Sequence, residues 1–85
     1  MKNEIDSKFV LSVFDKMREH GEKQQEQYIL GGLKGSTDFD GYTLFIEDAL
    51  VMLRFGFHNQ YAFEYEKEEH LEQFLKKMTA IEQTY

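Results

Sequence analysis

The chain contains no cysteine, so no disulfide staples it and its fold must rest on packing alone. Basic residues are scarce: 10 Lys and Arg stand against 16 Asp and Glu, for a net charge of −6. That balance argues against a broad basic footprint for direct contact with nucleic acid or an anionic membrane. Long apolar runs are also missing. Nowhere do about 18 apolar residues follow one another, as a bilayer-spanning helix requires, and the N-terminus lacks the short apolar run of a secretory signal. The expected compartment is therefore the cytoplasm, and neither a cofactor nor a metal is expected.

What the chain does have is aromatic residues, with 8 Phe and 5 Tyr in 85 residues. This length fits one domain, residues 1–85, with no internal repeat, low-complexity segment or second-domain boundary. A domain of this size buries only about 60 to 65% of its unfolded surface. The aromatic side chains must carry much of its stability, and dimerisation would add to it.

The organising stretch is Tyr42 to Tyr65, which reads as three antiparallel strands. Alternation puts Tyr42, Leu44 and Ile46 on one face. A tight connection at Asp48-Ala49 would set Ile46 opposite Val51, Leu44 opposite Leu53 and Tyr42 opposite Phe55. A three-residue turn at His58-Asn59-Gln60 would pair Phe57 with Tyr61, Phe55 with Phe63, Leu53 with Tyr65 and Arg54 with Glu64. A two-residue turn would instead set Phe63 beside Gly56, and the apolar faces would no longer coincide.

Two helices flank this stretch. The first is expected from Glu4 to His20, capped by Asn3, with Ile5, Phe9, Val10, Val13, Phe14 and Met17 on one side and Leu11 off it. Gly21 suits a left-handed end to this helix, and His20 in the last turn suits its dipole. Glu22 to Gln27 reads as a polar loop. Tyr28 to Thr37 reads as an irregular strand, weakened by Gly31, Gly32 and Gly35. Asp38-Phe39-Asp40-Gly41 is a turn signal. The second helix is expected from Lys67 to Glu82, with Leu71, Phe74, Leu75, Met78 and Ile81 as its buried stripe.

The fold class that follows is α+β: an antiparallel three- to four-stranded β-meander with N- and C-terminal helices packed on one face, in the order α-β-β-β-β-α. The outer sheet face then carries Phe45, Leu50 and Met52 as an apolar island, a candidate contact for a protein partner or a second copy. Leu11 is a weaker candidate.

Chemistry-bearing motifs are thin. Gly31-Gly32-Leu33-Lys34-Gly35-Ser36-Thr37 lacks the spacing and following helix of a phosphate loop. Asp38-x-Asp40-Gly41 lacks the remaining ligands of a calcium loop, and His20, His58 and His70 show no metal-ligand spacing. No catalytic residue is assigned. The best-equipped turn is His58-Asn59 beside Tyr61, where the histidine could act as acid or base if the Asp38/Asp40 turn met it. The acidic run Glu64, Glu66, Glu68, Glu69 and Glu72 reads as a solvated helix start, or as an imitation of nucleic-acid phosphates.

In Ser36-Thr37-Asp38-Phe39-Asp40-Gly41-Tyr42, Phe57-His58-Asn59 and the alternation Tyr61/Phe63/Tyr65, the chain resembles a family of short uncharacterised bacterial proteins grouped as a domain of unknown function. The resemblance covers nearly the whole chain and implies a small bacterial cytoplasmic protein. It brings no activity or site residues with it.

The leading expectation is a non-enzymatic protein-interaction or regulatory module, homodimeric through the outer sheet face. One alternative is a small-ligand or catalytic site formed by Asp38, Asp40, His58 and Asn59. The other is an acidic inhibitor of a nucleic-acid-binding protein.

Overall fold

A computed structural model describes residues 6–38, 41–56 and 60–85. The first helix, α1 (Ser7–His20), begins at Asp6, whose side chain accepts the Lys8 N–H at 3.2 Å. Asp6 is thus the cap that was expected at Asn3, which lies outside the described residues. The Asp6 carboxylate satisfies the N–H of the second helical residue, which is the work of a cap.

Gly21 ends α1 in extended backbone (φ −81°, ψ 172°) rather than left-handed. The glycine is needed for close approach, not for its sign of φ. A Cβ there would collide with the Met17 carbonyl oxygen and come within 2.8 Å of that of Ile29.

The sheet has six antiparallel strands in sequential order, two more than the upper end of the expected range. β1 (Glu22–Gln24) and β2 (Gln27–Leu30) form a hairpin where a loop was expected. Gln25 at φ 56° makes the tight turn between them. β1 is an edge strand exposed along its length, so its residues carry no apolar alternation that would mark a strand.

β2 joins β3 (Leu33–Thr37) through Gly31 and Gly32, at φ 59° and 82°. Two successive positive φ values suit a two-residue hairpin turn. The glycines that looked like a bulge or a fray are the connection itself.

β4 (Leu44–Glu47), β5 (Met52–Phe55) and β6 (Tyr61–Glu64) form the expected meander, but in a different register. Ile46 pairs with Leu53 and Leu44 with Phe55; Phe55 pairs with Tyr61 and Leu53 with Phe63. Each hairpin is shifted by two residues from expectation. The first turn centres on Ala49-Leu50, where the Asp48 carboxylate accepts the N–H groups of both Leu50 and Val51 at 2.8 Å. Because the shift is even, every side chain keeps its face. The exceptions lie outside the strands: Tyr42, before β4, is 65% exposed, Leu50 falls in the turn at 58%, and Tyr65, after β6, is 36% exposed. The expected pairing of Phe57 lies outside the described residues.

The second helix is α2 (Glu68–Thr84). Its Leu71, Phe74, Met78 and Ile81 are buried, as are Val10, Val13, Phe14 and Met17 of α1. Both stripes meet Leu33, Ile46, Leu53 and Phe55 from one face of the sheet in a single core, with Leu44 and Phe63 packed against it. The helices touch near their C-terminal ends, where Lys16 donates to the Glu82 carbonyl at 2.6 Å and the His20 ring lies 5.1 Å from that of Tyr85. Leu11 is exposed, as its place off the stripe requires. Among the described residues no helix is long and apolar enough to cross a membrane.

Candidate functional site

Burial of Ile46 and Leu53 on the helix side fixes where their neighbours point. Phe45 and Met52 stand on the opposite face, because successive strand residues alternate. Following the register across the sheet gives one row of Glu22, Ile29, Lys34, Glu47, Met52 and Glu64. The next row holds Ser36, Phe45, Arg54 and Ala62. Ile29, Phe45 and Met52 are half-buried, while Lys34, Arg54 and Glu64 are exposed.

The outer face is thus a mixed surface. Lys34 lies directly across from Glu47, a favourable cross-strand pair, and Arg54 lies across from Phe45. Ile29 belongs to this face but could not be assigned to it from the sequence, because the hairpin that places it was read as a loop followed by an irregular strand.

Leu50 does not join Phe45 and Met52. It sits in the β4–β5 turn, 58% exposed, beside α2. There it lines a cleft of about 420 Å³ with Asp48, Glu69, His70, Gln73 and Lys77. Lys77 Nζ donates to Asp48 Oδ2 at 3.0 Å. Burial pushes the Asp48 carboxyl up, but the Leu50 N–H, the Lys77 ammonium and the Val51 N–H outweigh it and hold the group below its usual value. Both carboxylate oxygens therefore accept hydrogen bonds that fix the turn against the helix. His70 Nδ1 is buried beside this cleft without a hydrogen-bond partner. His70, Gln73 and Lys77 share a helix face by spacing; that a turn acid would meet them was not legible.

At the other end of the sheet, the Asp38 N–H donates to the Thr43 carbonyl at 2.7 Å and the Gly56 N–H to the Gln60 carbonyl at 2.6 Å. The β3–β4 and β5–β6 connections therefore leave the same end of the sheet, as the meander implied. Thr43, Arg54, Gly56, Gln60, Tyr61 and Ala62 line a depression of about 190 Å³ there. Of the residues proposed for a ligand site, Asp38 is at the end of β3, while Asp40, His58 and Asn59 lie outside the described residues.

Among the described residues no group of three His, Asp or Glu is placed to hold a metal ion. The acidic side chains Glu64, Glu66, Glu68, Glu69 and Glu72 are all exposed, with Lys67 exposed among them. Tyr65 donates to Glu68 at 3.2 Å.

No curated protein and no solved structure matches the chain. A family model does, over residues 5–85, and the chain belongs to the family described as "Protein of unknown function (DUF3081)".

Proposed function

We propose that this protein is a non-enzymatic interaction module that binds a protein partner through the outer face of its sheet. The observation that supports this reading is one-sided packing. Both helices contribute their apolar stripes to the same face, while Ile29, Phe45 and Met52 stand half-buried on the other. Antiparallel sheets with a solvent face normally carry polar side chains there. Three large apolar residues set among charges of both signs instead match the pattern of an apolar centre with a polar rim.

The test compares Met52→Glu, on the outer face, with Leu11→Glu, on the exposed side of α1. Association, followed by sedimentation velocity and by capture of partners, is expected to be lost with Met52→Glu and kept with Leu11→Glu. Association that survives Met52→Glu at wild-type strength rules the reading out.

A further inference from the structure

The outer face carries a pattern about its own midline that names an occupant. We infer that the partner is a second copy of this chain, stacked face to face about a two-fold axis that runs along the strands between β3 and β4. This inference rests on the outer-face reading above.

A two-fold contact is isologous: whatever residue i meets on the partner, that residue's twin meets i in return. An axis between β3 and β4 exchanges β3 with β4, β2 with β5 and β1 with β6 within the row Glu22, Ile29, Lys34, Glu47, Met52, Glu64. Lys34 then faces the partner's Glu47, and Glu47 faces the partner's Lys34. Ile29 faces the partner's Met52. The two central contacts join opposite charges, and the next two join apolar side chains.

Other axes serve the same residues worse. An axis between β4 and β5 sets Glu47 on the partner's Met52 and leaves Ile29 beyond the edge of the contact. A two-fold axis across the strands lays one row on the other and sets Glu47 on the partner's Phe45. The midline axis alone pairs Lys34 with Glu47 and Ile29 with Met52 at once, and in the next row it sets Phe45 on the partner's small Ser36.

Distances support the choice. With strands about 4.8 Å apart, Lys34 and Glu47 stand about 2.4 Å from the axis, Ile29 and Met52 about 7 Å, and Glu22 and Glu64 about 12 Å. Stacked sheets cross at about 30°, which displaces Ile29 from the partner's Met52 by only about 4 Å. The same rotation moves Glu22 about 6 Å away from the partner's Glu64 at the rim, where salt screens the remaining repulsion. The face spans six short strands, a projected area of about 350 Å² on each copy. Two such faces fall well below a standard interface, so the dimer belongs to the weak, transient class.

The experiment is charge reversal with mixing, read by sedimentation velocity between micromolar and millimolar protein. Lys34→Glu and Glu47→Lys each place two like-charge contacts at the axis, and each is expected to raise the dimer Kd roughly tenfold or more. An equimolar mixture of the two variants restores opposite charges at both contacts, so a heterodimer of near wild-type affinity is expected. A purely in-chain role for the Lys34–Glu47 pair gives no such rescue. Should either reversal fail to fold by circular dichroism, Lys34→Gln and Glu47→Gln take its place, each raising Kd a few-fold.

Reversed variants that self-associate like wild type, or that mixing does not restore, overturn the axis; loss of the dimer in Met52→Glu under those conditions would still leave the outer face as the binding surface. A wild type that stays monomeric up to millimolar overturns the second copy as occupant. In that case a retained partner protein that is lost with Met52→Glu keeps the outer-face reading, and one unaffected by that substitution ends both.

Discussion

Lys77 Nζ lies 3.0 Å from Asp48 Oδ2, and this contact ties the middle of α2 to the turn between β4 and β5. The Asp48 side chain is 7% exposed and that of Lys77 41%. A nearly buried carboxylate that also accepts two backbone N–H groups organises the turn as well as the contact with the helix.

The pH dependence of stability follows from the sign of the shift. The Asp48 carboxyl titrates below its ordinary value in the fold, so its contribution is complete above an unfolded pKa of about 3.9 and is lost as pH falls through the folded value. Asp48→Asn is expected to cost about 1 to 3 kcal/mol at neutral pH. That gap should hold from about pH 6 to about pH 4 and narrow as pH falls from there toward about 2, because the wild-type carboxyl becomes neutral only below its ordinary value. Urea denaturation of both proteins across that range checks it, and a gap of constant size contradicts it.

Gly21→Ala tests why α1 ends as it does. The atoms a Cβ would meet are the backbone oxygens of Met17 and Ile29, which cannot rotate aside as a side chain would. The substitution should cost about 1 to 3 kcal/mol, at the upper end of that range. A left-handed glycine would be replaced well by Asn, whereas here Gly21→Asn should cost at least as much as Ala. An Asn variant with the wild-type denaturation midpoint would show that crowding is not the reason.

Phe74 is fully buried, and its ring meets Phe63 edge-on, with centroids 6.3 Å apart at 84°. Phe74→Ala should cost about 3 to 5 kcal/mol, a large share of the total stability of so small a domain. Phe63 is only half-buried, so Phe63→Ala should cost clearly less. Equal losses in the two denaturation curves would refute this ranking of the aromatic core.

Both helices and the inward face of the meander were legible because each has a strong period. Val10, Val13, Phe14 and Met17 on α1, and Leu71, Phe74, Met78 and Ile81 on α2, mark a buried stripe by their spacing alone. Parity in the strands was legible for the same reason, since Leu44, Ile46, Leu53 and Phe55 cannot change face without exposing the core. Exact register was not: moving by two residues preserves every face, so the side chains alone scarcely distinguish the two pairings. What decided it was Asp48, whose carboxylate bonds fix Ala49-Leu50 as the turn. The β1–β2 hairpin was hidden because an exposed edge strand of Glu22, Lys23 and Gln24 reads the same as a loop. Ile29 was thereby missed as part of the outer face, and Leu50, one position beyond the turn that was expected, was counted in.

Leu50 and Met52 are two positions apart, yet they occupy different surfaces. Leu50 lies in the turn beside Glu69, His70 and Gln73 of α2, whereas Met52 stands on the outer face between Glu47 and Glu64. Leu50→Glu should therefore leave self-association intact and shift stability by no more than about 0.5 kcal/mol. Met52→Glu sets a third carboxylate in a line of three, which weakens the monomer as well as the contact. Met52→Lys separates the two effects: a cation between Glu47 and Glu64 should hold or raise the stability of the monomer by cross-strand attraction, while it puts a charge against the apolar Ile29 of a second copy. The expected result is a stable Met52→Lys protein that sediments as a monomer at concentrations where the wild type and Leu50→Glu dimerise. Dimerisation of Met52→Lys at wild-type strength, or its loss in Leu50→Glu alone, would move the contact from the outer sheet to the edge of the α2 cleft.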